Sequence, residues 1–112
     1  MDDFEKKIEN DVVVEVVNLT RATLKEAIEF KKILDDNLEK KFRKLVVDIS
    51  QCEFLDSTFL GTLVYAKRSA IKIGGDLKIV EPPSVFKALR EKTSTLQVFD
   101  TYKSLDEAIK SF

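Results

Sequence analysis

Leu24, Ala27, Phe30, Leu34 and Leu38 return at intervals of three or four along a stretch otherwise filled largely with Lys, Glu and Asp. This period predicts an amphipathic helix over about residues 24–41 that turns those five side chains toward a core. Thr23 and Glu26 stand at capping-box spacing before it, where a hydroxyl and a carboxylate would satisfy the first free backbone N–H groups. A second helix is expected over 57–73. No proline interrupts it, Leu60, Leu63, Val64, Ala70 and Ile71 form its apolar stripe, and Gly74-Gly75 supplies the stop.

Between and around the helices the pattern changes to strands. Residues 11–18 are crowded with valine, and residues 4–8 alternate apolar and charged, so the two read as a hairpin turning at Glu9-Asn10-Asp11. Residues 45–49, Leu-Val-Val-Asp-Ile, do not alternate, as expected of a strand covered on both faces. Residues 76–80 read as the next strand. Pro82-Pro83 opens a shorter helix through Val85, Phe86, Ala88 and Leu89, because Pro fits a first helical turn. Residues 96–99 are expected to form a last edge strand. Ser104 and Glu107 repeat the capping-box spacing before a small terminal helix carrying Ala108, Ile109 and Phe112.

Strands alternating with helices imply right-handed crossovers and a sheet parallel at its centre, while the hairpin adds an antiparallel strand. The expected class is α/β: one domain over residues 1–112, with a mixed sheet of four to five strands and about four helices mainly on one side. A chain of 112 residues has room for one such core, and 44% hydrophobic content supports it.

Charge and composition then exclude chemistry. Lys and Arg number 19 against 20 Asp and Glu, so nothing in the balance favours nucleic acid or an anionic membrane. The chain has no His and one Cys, which removes the usual general base, the commonest metal ligand and an internal disulfide. Three glycines leave no room for a Walker or dinucleotide phosphate loop. The first strands offer no acidic pair that would make Asp56 a receiver-type phosphoacceptor. Cys52 reads as a half-buried structural thiol, with no adjoining cation to activate it. No apolar run approaches the ~20 residues of a membrane span, and the first residues do not read as a secretion signal. A cytoplasmic protein without cofactor, metal or catalytic residue is expected.

The informative stretch is 48–61, the loop after the central strand and the first turn of the second helix. In open α/β sheets ligands and partners meet the carboxyl ends of the strands. Asp56 and Ser57 are both favoured cap residues, and either would suit the helix start. Ser57 there could also carry a phosphate, which the helix N-terminus would hold and which adds roughly −1.5 to −2 charges beside Asp56. Gly61, Tyr65, Arg68 and Lys72 share the face opposite the apolar stripe, either as a contact strip or as a solvated surface.

Val46-Val47-Asp48-Ile49-Ser50 followed by Phe54-Leu55-Asp56-Ser57-Thr58-Phe59-Leu60-Gly61 resembles the signature of STAS domains, in particular the stand-alone bacterial anti-sigma factor antagonists. Ile73-Gly74-Gly75-Asp76-Leu77, the Pro-containing helix start and the stretch from Phe99 to Ala108 match in order, so the resemblance covers nearly the whole chain. It implies a protein-binding switch with no activity of its own. Ser57 would be phosphorylated by an anti-sigma factor with serine kinase activity and restored by a serine phosphatase. The unphosphorylated form would bind the anti-sigma factor and free a sigma factor, with Asp56, Ser57, Thr58, Phe59, Gly61, Tyr65 and Arg68 at the partner surface. The resemblance implies neither nucleic-acid binding nor membrane insertion.

The chain departs from the family pattern twice. Phe59 stands where the first Gly of the motif is usual, a ring expected either at the partner contact or at the core edge. Residues 18–23, Asn-Leu-Thr-Arg-Ala-Thr, replace a common Gly-x-Leu/Ile-Asp loop. Two other functions fit the resemblance: a constitutive accessory subunit of a transporter ATPase, for which Phe59 would be an anchor, or a nucleotide or small-molecule sensor using the loop near Asn18 to Thr20, Asp56 and Ser57.

Overall fold

The computed structural model describes residues 2–81 and 99–112. Strands β1 (Phe4–Glu9) and β2 (Val12–Val17) form the expected hairpin, closed by Asn10 and Asp11, both with positive φ. Asn and Asp tolerate that backbone conformation better than other non-glycine residues. The chain continues through β3 (Arg21–Ala22), α1 (Leu24–Glu39), β4 (Lys44–Asp48), β5 (Phe54–Leu55), α2 (Ser57–Lys72), β6 (Asp76–Val80), β7 (Thr101–Tyr102) and α3 (Leu105–Lys110). The main sheet runs β1-β2-β4-β6-β7, antiparallel at β1–β2 and parallel elsewhere.

Alternating residues divide the sheet into two faces. Val13, Val17, Leu45, Val47, Leu77 and Ile79 pack under α1 and α2 with Ala27, Phe30, Leu34, Leu60, Leu63, Ala66 and Ala70. Val12, Val14, Val16, Val46 and Val80 lie on the other face, covered by Ala108 and Ile109 of α3. Burying each large apolar side chain contributes about 1.5–3 kcal/mol. Lys78, also on that second face, donates to the Ser111 carbonyl and hydroxyl at 3.0 and 2.8 Å, with its ammonium 4.5 Å from the Phe112 ring centre.

Several expectations need correction. Leu24 and Ile71, assigned to core stripes, are more than half exposed. The last described edge strand is β7, at Thr101–Tyr102, and Phe99, the one described residue of the strand expected at 96–99, is buried ahead of it. Residues 96–98 and the helix expected after Pro82-Pro83 lie outside the described residues. Cys52 is fully rather than half buried. The two-residue pair β3–β5 was not anticipated, because two residues carry no readable period. Glu15 was also missed as a core residue. It faces α1 from the middle of β2, only 2% exposed, with its carboxylate accepting from Asn37 Nδ2 at 2.7 Å and 3.7 Å from the Lys6 ammonium.

Candidate functional site

The loop between β4 and α2 is tied down along its length. Ser50 N–H donates to Asp48 Oδ1 at 3.0 Å and Cys52 N–H to the Ile49 carbonyl at 3.0 Å. Burial, reinforced by the negative charge of Asp48, pushes the Cys52 thiol up to about 12, so it stays protonated and inert at neutral pH. Glu53 and Phe54 N–H then donate to the Thr20 carbonyl at 2.7 and 3.1 Å, β5 pairs with β3, and Asp56 N–H reaches the Ala22 carbonyl at 3.1 Å. Residues 18–23, where the usual family loop is absent, therefore hold the second loop through main-chain contacts that any side chains permit.

This stitching delivers Asp56 to a position between two helix starts. Its Oδ1 accepts from Phe59 N–H at 2.8 Å, capping α2, and its Oδ2 accepts from Leu24 N–H at 2.9 Å, the first residue of α1. Each helix start leaves N–H groups without helical partners and carries a partial positive charge, so one carboxylate satisfies donors of both. At α1 it supplements the Thr23–Glu26 capping box.

The cap is thus Asp56, and Ser57 is released from that duty. Ser57 is exposed at the first position of α2, and among the described residues its side chain accepts and donates no hydrogen bond. Thr58 is exposed beside it, its carbonyl accepting from Thr62 Oγ1 at 3.2 Å. Gly61, one turn along, is exposed, and a Cβ there would meet nothing within 4 Å. Packing does not require that glycine; its effect is to leave the helix surface low next to Ser57. Tyr65, Arg68 and Lys72 are exposed further along the same face, and the Lys31 ammonium of α1 sits 4.5 Å from the Tyr65 ring centre.

Phe59 does not belong with these surface residues. It is fully buried, continuing the stripe of Leu63, Ala66 and Ala70, and stacks on Phe30 at 5.3 Å, which stacks in turn on Phe4 at 4.7 Å. The ring that replaces the motif glycine points inward between α1 and α2. It neither obstructs an approach along the exposed face nor offers an anchor there. The reason is positional: residue 59 lies on the helix side that also carries residues 63 and 70.

Sequence reading missed two flanking features. The Arg21 guanidinium covers the half-exposed Phe54 ring at 4.4 Å, while Leu24 and Ile28 are exposed one turn apart on α1. Only the β3–β5 pairing brings Arg21 to Phe54, and a residue pair 33 apart leaves no local signal. Among the described residues no group of three His, Cys, Asp or Glu side chains is placed to hold a metal ion, and no described helix is long and apolar enough to cross a membrane.

The family model of the STAS domain matches residues 4–108. A Thermotoga neapolitana protein named as an anti-sigma factor antagonist homolog is 29% identical over 108 residues, covering 96% of this chain and 95% of the relative. The crystal structure of a Thermotoga maritima protein named as an anti-sigma factor antagonist superposes with a TM-score of 0.83 at 27% identity, over 96% of this chain and 92% of that one. The Bacillus cell fate determinant SpoIIAA in its phosphorylated form shares the fold at a TM-score of 0.74 and 12% identity, over 96% and 97% of the two chains. With the family model spanning almost the full length and the sheet order and helix placement in agreement, this chain belongs to the STAS domain family, several of whose similar members are named as anti-sigma factor antagonists.

Proposed function

We propose that this protein is an anti-sigma factor antagonist whose binding to an anti-sigma factor is gated by phosphorylation of Ser57. The observation that carries the reading is the division of labour at the start of α2. Asp56 takes the structural role, so the exposed Ser57 hydroxyl is available to a kinase without cost to the helix. A phosphate there would sit at a helix N-terminus, which tolerates it, and beside Asp56, which it repels. The fold would change little and the surface charge a great deal. SpoIIAA, which shares the fold, is named in a phosphorylated form, in keeping with a switch of this kind.

In this reading the partner surface is the exposed face of Asp56, Ser57, Thr58, Gly61, Tyr65 and Arg68. A serine kinase, the anti-sigma factor itself, adds the phosphate and a serine phosphatase removes it. Ser57 is a substrate position, and the protein supplies no catalytic group. Constitutive docking on a transporter ATPase loses its main support, since the ring that would anchor it is buried. Incubation of the purified protein with each anti-sigma kinase of its host and Mg-ATP, followed by fragment mass spectrometry, tests the proposal. Phosphate on Ser57 is the expected result. Kinases active on their own substrates that leave Ser57 unmodified would overturn the gating.

A further inference from the structure

At the amino ends of the parallel strands, opposite Ser57, three turns meet: Asn10-Asp11, residues 40–43 and Gly74-Gly75. They line a cavity of about 580 Å³ with Lys41, Phe42, Arg43, Lys44, Asp76 and Phe112. A second cavity of about 380 Å³ lies alongside, and Lys41 and Arg43 line both. Volumes of this order suit a small ligand.

The charges here are unevenly settled. Four of the five residues from Lys40 to Lys44 are cationic in a chain whose net charge is −1. Lys40 pairs with Asp36 at 3.0 Å and Lys44 with Asp11 at 3.1 Å, while Asp76 is engaged by Lys67 at 2.6 Å. Both carboxylates of the larger cavity are thereby neutralised. Lys41 and Arg43 are exposed and, among the described residues, have no carboxylate within ion-pairing distance; Glu39 is the acidic residue of the smaller cavity.

The main chain beneath these two cations is fixed. Lys41 has φ +65, the left-handed position after a helix where glycine or asparagine is the usual occupant. A lysine there costs conformational energy, and its charge complements the partial negative charge at the end of α1 as well as facing the cavity. The Arg43 carbonyl accepts from Asp76 N–H at 2.8 Å, and a Cβ at residue 75 would collide with the Arg43 main chain, so Gly75 is what allows the two turns to close. Phe42 and Phe112 add half-buried aromatic surface to the same cavity.

We infer that this pole is a binding site for a small phosphate-bearing ligand, with Lys41 and Arg43 taking the phosphate and Phe42 and Phe112 its apolar part. The site is separate from Ser57, so it stands or falls independently of the switch. Titration with inorganic phosphate and with phenyl phosphate, followed by amide chemical shifts, tests it. The expected result is shifts confined to residues 41–44 and 74–76, with phenyl phosphate the tighter ligand. Arg43→Gln should weaken binding roughly tenfold or more, the loss of one charge-assisted hydrogen bond. Lys41→Gly should weaken it similarly while leaving the protein at least as stable, because glycine is at ease in that conformation. Ser57→Asp should leave it unchanged. Shifts absent from these residues, or unaltered affinity in both Lys41→Gly and Arg43→Gln, would overturn the proposal.

Discussion

At the carboxyl ends of the parallel strands α1 and α2 both begin, and a single side chain, Asp56, accepts from the first turn of each. At the amino ends the same helices stop, and each stop uses a left-handed residue, Lys41 and Gly74. One pole is closed by a shared carboxylate, the other by backbone geometry and a close approach at Gly75. Structural duty and exposed polar surface are divided differently at each end. Around Asp56 the structural and exposed residues are sequence neighbours with distinct duties, whereas at the far pole Lys41 carries strain and charge in one residue.

The largest effect should come from the ring beneath the start of α2. Phe59→Ala leaves a void against Phe30 and is expected to cost about 3–5 kcal/mol in urea denaturation. A cost below about 1 kcal/mol would mean the ring is not the keystone between α1 and α2. Gly75→Ala forces a methyl into the Arg43 main chain and should cost at least about 1–3 kcal/mol, the range for overpacked sites. Asp56→Ala removes a cap shared by two helices, with an expected loss near the upper end of the roughly 0.5–2 kcal/mol range for caps. Hydrogen exchange should show the first turns of both α1 and α2 loosening; loosening of α2 alone would contradict the shared cap.

The smallest effect depends on pH. Burial raises Glu15 above its ordinary value of 4.5, against the lowering influence of Asn37 and Lys6. A carboxyl raised in the folded state favours folding most below its unfolded value, and that contribution is lost as pH climbs through the folded value. Glu15→Gln keeps an acceptor for Asn37 and removes the charge. It should therefore be neutral or stabilising by roughly 1 kcal/mol at pH 7 and flatten the stability profile above pH ~4.5. Destabilisation at pH 7 would show that the ion pair with Lys6 outweighs burial.

Much of the fold was legible because its signals are local and repeated. The valine runs of β2 and β4, the helical stripes and the glycine stop after α2 each declare an element within one window of sequence. Exceptions arose where tertiary placement overrode local pattern. Leu24 lies on the apolar stripe of α1, yet as its first residue it is more than half exposed. Glu15 reads as a solvated strand residue because the partner that permits its burial, Asn37, lies 22 positions away. At the candidate site the Asp-Ser step could be read as a cap or a switch. Only the hydrogen bond from Phe59 N–H to Asp56 Oδ1 shows which residue caps α2, while Phe59 turns inward with the stripe of Leu63 and Ala70.

The most direct test of the account is the affinity of an identified anti-sigma partner for Ser57→Ala and Ser57→Asp, with unfolding curves taken in parallel. The prediction is that both variants fold with near-parental stability and Ser57→Ala binds, while Ser57→Asp loses at least about tenfold in affinity, the equivalent of 1.4 kcal/mol. Equal affinities for the two variants would contradict a charge switch at this serine.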